Sequence, residues 1–477
     1  MPALFDLCDR DEIERYSHPA TLKHNAACRP CNSLSASQAF SLALIISLTF
    51  FSPVSGQTAA QVVTDPDMSA TTLQMPLEVP VLTLTEVIRA VVHNNPALLA
   101  SQRSQEGAAA AISSAAAYQN PRFEVATGSY GARLPSANGG PVSGWAVSQF
   151  IENPALRDAR ISGARFAERS SRHHVAVNTN ELVAKVRLKA FEYLLRKEEA
   201  QAASEALALL EQIRNRVKVR VESGEAGRYE LIKADAEIIN ARQKVQTAYL
   251  QIDQAILAIN RMAAGALPTR WVLQGQLSDV QEVPALEEFK LMASQNNPEL
   301  KALQAELDRH TALLSEVRAG RWPGVELRYN QVRDPEVNQG LLTVSIQIPL
   351  IDQRRGPVGQ AAAELERSRT LLEGRRAELA QQQLLAWKAM EIARVRVTAL
   401  STGAVREAEA ALRVAGAAYR YGERGILDVL DAQRLLRSVR ADLLDARYQL
   451  QAATVDLDFL AGSYADAYSP AATAIEP

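Results

Sequence analysis

The chain repeats itself, and this limits its folds more than any other feature. Asn94-Asn95-Pro96 returns as Asn296-Asn297-Pro298, and Pro121 returns as Pro323, both 202 positions further on. Two other strings, VESGEAGRYELIKADAE from Val221 and AYRYGERGILDVLDAQ from Ala418, align with a shift of 198. In that alignment Gly224, Gly227, Glu230 and Ala234 stand where Gly422, Gly425, Asp428 and Ala432 stand, and Met262 pairs with Leu460. A period of about two hundred residues is far longer than a solenoid unit, so it reads as two halves of one architecture. Every element must therefore be accommodated twice.

Each half has the same order. A short helix comes first, over Thr85 to His93 and Leu286 to Gln295. A helix opened by proline follows, Pro96 to Tyr118 and Pro298 to Ala319; proline fits the first helical turn because its missing N–H has no partner there anyway. Two extended segments come next. Leu342, Val344, Ile346 and Ile348 alternate with Thr343, Ser345 and Gln347, and Val325, Leu327 and Tyr329 alternate with Glu326, Arg328 and Asn330. In the first half Phe123, Val125 and Thr127 alternate with Glu124 and Ala126, and Trp145 to Ile151 is extended less regularly. A period of two with one apolar face marks strands, and the turn-rich stretches Gly131–Gly144 and Asp334-Pro335 make them hairpins. The same pattern suits a half-buried hairpin of a soluble sheet or a wall of a membrane barrel. Four strands cannot close a membrane barrel, for which about eight is the minimum, so the second reading requires several copies, and a trimer supplies twelve.

Each half ends in a long hairpin. Leu156 to Glu222 and Pro357 to Tyr421 run without internal proline. At 1.5 Å per residue such helices reach roughly 100 Å, too long to fold into a small globule. Apolar residues such as Leu182, Val186, Leu194 and Leu195 recur at helical spacing among many alanines, with Glu192, Arg196 and Glu199 on the other face. Gly422 and Gly425 break the second hairpin's pattern, because glycine tolerates the left-handed turn that ends a helix, and Gly224 and Gly227 stand in their places in the first. Glu230, Asp428 and Asp431 then open new helices, with acids where the macrodipole favours them.

Charge excludes one class of partner. Lys and Arg number 52 against 54 Asp and Glu, so no basic excess invites nucleic acid. Ala39 to Phe51 has signal-peptide length, with cleavage expected after Gly56 or Ala60. Residues 1–60 are read as that signal and an atypical acidic leader, with translation expected to start nearer Leu34. The three cysteines, Cys8, Cys28 and Cys31, all lie in the leader, so the exported chain is expected to be Cys-free, as suits an oxidising periplasm. His173-His174 is the one histidine cluster; adjacent helical positions point about 100° apart and do not chelate one ion. No metal site, cofactor site or catalytic constellation is legible, and the chain is not expected to be an enzyme.

Leu82 to Ala100 (LTLTEVIRAVVHNNPALLA), its echo from Leu286, and YGERGILDVLDAQ at the second tip resemble the TolC family of outer-membrane efflux channels, over about residues 82 to 463. SQFIENPALRDARISGARFA from Ser148 is similar to the branch serving cobalt–zinc–cadmium efflux, although Asn153-Pro154 replaces the Gly-rich junction usual there. The resemblance implies a mainly α chain with a small β part. Repeats at 82–263 and 285–463 carry hairpins at 122–151 and 325–350 and tips near 223–228 and 421–426. An equatorial linker covers 264–284 and a disordered tail 464–477. Four strands per protomer would join a trimeric twelve-stranded barrel in outer-membrane lipid, above a periplasmic α-barrel. The implied partners are a periplasmic adaptor and an inner-membrane pump of the RND type, the cargo heavy-metal cations. A conduit for drugs or a type I secreted protein is the alternative within the fold, and a periplasmic scaffold or adaptor without a pore the alternative outside it.

Residue by residue, the resemblance puts Tyr419 and Arg424 on the closing tyrosine and arginine of the periplasmic gate. It puts Glu230 on their acidic partner, and Asp428 and Asp431 on lumen-facing acids. A Glu230–Arg424 latch is expected, with Gly224, Gly227, Gly422 and Gly425 at the adaptor-docking tips.

Overall fold

A computed structural model describes residues 79–131, 135–136, 139–277 and 285–468 of the chain. The expected signal, leader cysteines and end of the tail lie outside these residues. The first repeat holds β1 (Val81–Leu82), α1 (Leu84–Asn94), α2 (Pro96–Ala116), β2 (Arg122–Tyr130), β3 (Gly140–Ile151), α3 (Pro154–Glu222) and α4 (Arg228–Met262). After β4 (Val272–Leu273) the second repeat runs α5 (Leu286–Asn296), α6 (Pro298–Ala319), β5 (Val325–Arg333), β6 (Asn338–Ile346) and α7 (Arg355–Ala399). A π-turn (Leu400–Ala404), α8 (Val405–Arg420), α9 (Ile426–Ala461) and the short α10 (Ser463–Ala467) complete it.

Three asparagines explain why the helices start where they do. Asn95, Asn153 and Asn297 each precede a proline, and each side-chain oxygen accepts backbone N–H groups at the start of the following helix. Each amide then donates to a carbonyl at the end of a different helix. Asn95 reaches Met262 at 2.9 Å, Asn297 reaches Leu460 at 3.0 Å, and Asn153 reaches Ala319 at 3.1 Å. One side chain so satisfies orphan donors of one terminus and an orphan acceptor of another. The first two bonds preserve the internal repeat in space. Asn153-Pro154, which departs from the glycine-rich junction, is a third use of the same device.

The strands form one antiparallel sheet in the order β2-β3-β5-β6, both hairpins paired over nine residues. The register Phe123↔Val147↔Tyr329↔Leu342 places these side chains on one face, with Val125, Trp145, Leu327 and Val344 beside them. That face is open: Phe123 is 65% and Leu342 69% exposed. Trp145 lies 5.5 Å from Tyr329 and 6.5 Å from Phe123, between ring centroids. On the other face Arg328 pairs with Glu124 at 2.6 Å, reaching over β3 where Ala146 and Ser148 are small. The last strand stops at Ile346; the expected continuation to Leu350 is not strand, yet Ile348, Leu350 and Ile351 remain exposed beside it.

Below the sheet, Glu152 is buried and accepts both arms of Arg160, at 2.7 and 2.8 Å. Arg157 and Arg160 also donate to the carbonyls of Ala116 and Ala115, so the strand-to-helix junction caps α2.

The helices have no single core. One cluster gathers α1, the middle of α3, the end of α4 and the linker, with Trp271 stacked on Tyr193 at 5.7 Å. A second joins α5, α7 and α9, and a third joins both hairpins at their far ends. β4 pairs in parallel with β1, so the linker carries a short strand that periodicity did not reveal. The second long helix is broken by the π-turn, whereas α3 runs unbroken for 69 residues. The expected disordered tail is also corrected at its start: α10 is helical, Tyr464 is buried, and its hydroxyl donates to Asp458 at 2.9 Å.

Candidate functional site

The two hairpin tips are built alike. At the end of α3, Glu225 N–H bonds the carbonyl of Arg220 at 2.9 Å and Gly224 N–H bonds that of Val221 at 3.2 Å. At the end of α8, Glu423 bonds Ala418 and Gly422 bonds Tyr419 at the same two distances. This is the Schellman closure, and it requires a left-handed residue. Gly224 and Gly422 supply it with φ of +80 and +78°. Gly425, expected to share the left-handed turn, does not: it and Gly227 are extended residues preceding the next helix.

The tips meet around Tyr419, which is 6% exposed and packed with Ile426, Val429, Leu430, Val217 and Ile238. Its hydroxyl is buried without a hydrogen-bond partner, as is one carboxylate oxygen of Glu230. Burial raises the Tyr419 pKa, the Glu230 carboxylate adds to the rise, and Arg220 opposes it. Arg220 is the residue that sequence reasoning missed. Its guanidinium lies 4.8 Å from the centroid of the Tyr419 ring and donates to the Tyr419 carbonyl at 3.2 Å. Nothing in its local sequence marks it, because an arginine in a last helical turn is ordinary.

The expected Glu230–Arg424 latch does not form within the chain. Arg424 is 66% exposed and, from the turn before α9, reaches Asp428 in the first turn of that helix at 3.8 Å. Asp431 pairs with Arg434 at 2.9 Å, and Arg434 also bonds Glu237 of the other hairpin. Both expected lumen acids therefore carry an arginine neighbour, as i,i+3 and i,i+4 geometry favours.

Above the tips, a cleft of about 930 Å³ opens between α3, α4, α8 and α9. Its apolar floor includes Ala202, Ala206, Leu412 and Leu436, and Lys244, Arg413 and Arg437 stand at its walls. Among the described residues no three His, Cys, Asp or Glu side chains gather as a metal-ligand set. His173 is partly buried, and desolvation with the nearby cations Lys301, Arg172 and Arg169 lowers its pKa. No described helix is long and apolar enough to cross a membrane.

Comparison with known proteins agrees with this geometry. Residues 292–463 match the family described as Outer membrane efflux protein. The cobalt-zinc-cadmium resistance protein CzcC of Cupriavidus metallidurans is 26% identical over 314 residues, which cover 65% of this chain and 75% of that protein. Among solved structures, the channel-forming CusC superposes with a TM-score of 0.68 at 18% identity, covering 79% of this chain and 91% of that one. The open MtrE outer membrane channel of Neisseria gonorrhoeae gives 0.67 at 20%, covering 80% and 88%. The second repeat thus carries the match to the outer membrane efflux protein family, and the repeated hairpins with the four-stranded sheet have the fold of these outer membrane channels.

Proposed function

We propose that three copies close into one conduit that carries heavy-metal cations from the periplasm to the exterior. The observation that carries the conduit is the sheet. Its apolar face is exposed, and β2 and β6 each leave one edge unpaired in the protomer. An open edge within hydrocarbon leaves backbone groups unbonded at several kcal/mol each, so membrane strands occur in closed barrels. Pairing β6 of one copy with β2 of the next satisfies both edges, and three copies of four strands close twelve.

Cargo is inferred from the likeness to the cobalt-zinc-cadmium resistance protein. At the tips, Glu230, Tyr419, Arg424, Asp428 and Asp431 form the constriction. The latch runs between copies: Arg424 is exposed and within its own chain makes a long pair with Asp428 at 3.8 Å, not one with Glu230. An exposed pair contributes about 0–1 kcal/mol, so three must act together. Rings of Asp428 and Asp431 raise local cation concentration. The glycine-closed tips, Gly224, Gly227, Gly422 and Gly425, dock a periplasmic adaptor, which links the channel to an inner-membrane pump of the RND type. The channel itself does no chemistry.

Growth of a deletion strain with and without the restored gene tests the cargo. Sensitivity to zinc, cobalt and cadmium salts, reversed by the gene, is expected. Sensitivity confined to dyes, detergents or antibiotics would overturn the metal assignment and leave the conduit standing.

A further inference from the structure

We infer that Arg220 is the pin that holds α8 of the second hairpin against α3 of the first, and so positions the gate. The inference rests on the reading of the tips as a gate. Arg220 occupies the last turn of α3 and Tyr419 the last turn of α8. The guanidinium makes two contacts with this one residue, over the ring at 4.8 Å and to the carbonyl at 3.2 Å. Its Nε also lies 3.5 Å from Glu225 of its own tip. A cation at a helix C-terminus meets the negative end of the macrodipole, and a planar guanidinium stacks on an aromatic face as an ammonium does not. The pin thus recognises the end of α8 by charge and by shape.

A second observation shows why α8 needs a pin. Among the hydrogen bonds and ion pairs of the described residues, α9 is tied to the first hairpin elsewhere, by Arg434 to Glu237 and Arg440 to Glu205. Of these bonds and pairs α8 has only the Arg220 contact, beside the apolar packing of Leu412, Ala415 and Tyr419. At its other end α8 begins at the π-turn Leu400–Ala404, which contains no buried residue. Thr402 donates its hydroxyl to the carbonyl of Thr398 at 2.7 Å, and a Cβ added at Gly403 would meet nothing within 4 Å. Side chain-to-backbone bonds and a π-turn both loosen the regular helical ladder, and such turns recur at functional positions. The corresponding segment of α3 has no such break. α8 is therefore a segment with a pivot at one end and a pin at the other.

The test uses purified full-length protein carrying Arg220→Ala, Arg220→Lys or Arg220→Met, read in two ways. The first is single-channel conductance in planar bilayers. The second is the distance between spin labels at Glu222 and Tyr421, both exposed and one on each tip. Arg220→Ala and Arg220→Met are expected to raise conductance several-fold and to lengthen and broaden the label distance. Arg220→Lys should fall between, since it keeps charge and loses the stacked plane. In a Tyr419→Leu background, Arg220→Ala should add little to either readout. Equal conductance and an unchanged label distance in both neutral variants would overturn the pin. If the unaltered protein conducts nothing, the conduit reading fails, and the label distance still decides the pin. Arg220→Met retains the apolar stem and guards against loss of folding in the alanine variant.

Discussion

At the scale of single residues, the helix-terminal asparagines do more than the glycines. Asn297 is 5% exposed and bonds two N–H groups of α6 as well as the Leu460 carbonyl. Asn297→Ala is expected to cost about 1–2 kcal/mol, the usual loss for a cap, and to lower the melting temperature of the purified protein. Asn297→Asp keeps the acceptor but sets a buried carboxylate oxygen against the Leu460 carbonyl, so it should not restore the loss. The repeat made Asn95 and Asn297 visible as a pair in the sequence, together with Met262 and Leu460. What they bond could not be read, because each amide reaches across more than 160 positions. Arg220 and Arg434 were hidden for the same reason. The expected Glu230–Arg424 pair was drawn from resemblance, and the chain instead offers Arg424 a nearer carboxylate at Asp428.

Tyr464 and Asp458 give a pH dependence at this same scale. Burial raises the Asp458 pKa, with the Tyr464 hydroxyl and Arg187 pulling the other way, and Asp456 is raised by burial too. The folded chain therefore keeps these protons to higher pH than the unfolded chain does. Just above the ordinary aspartate range the folded state binds more protons, so stability falls as pH rises. Proteolysis near α10 should be slower at pH 5 than at pH 7.5, and Asp458→Asn should reduce the difference. An unchanged difference in that variant would assign the effect elsewhere.

At the scale of elements, alternation in the strands set the face correctly and their ends poorly. The period of two put Leu342, Val344 and Ile346 on one side, and the register keeps them there with Tyr329, Leu327 and Val325 opposite. Ile348 continues the pattern but not the strand, because alternation records a face and not a hydrogen bond. A charge on the lipid side of a barrel costs about 2–4 kcal/mol near the midplane and much less on the lumen side. Val344→Arg should therefore sharply reduce protein assembled in the outer membrane, whereas Ser345→Arg, one residue along and on the other face, should assemble. The π-turn was not read although Ser401, Thr402 and Gly403 interrupt the helix formers around them, because weak helix formers lower propensity without saying whether the ladder shifts register or continues. Amides of 400–408 should exchange with deuterium faster than those at the same depth in α3.

At the scale of the whole assembly, the repeat already demanded two hairpins of each kind, and four strands already demanded other copies. The sheet adds the reason: its edges β2 and β6 belong to different repeats and lie at opposite ends of the strand order. A contact from one edge to the other is heterologous, and rotation decides whether it closes a ring or grows without end. Cysteine pairs across these edges test closure most directly, with Thr127→Cys on β2 combined in turn with Gly340→Cys, Leu342→Cys or Val344→Cys on β6. Oxidised in outer membranes, at least one combination should give bands at two and three times the protomer mass and none above. Monomer alone in every combination, or a ladder continuing past three, would contradict a closed ring of three copies.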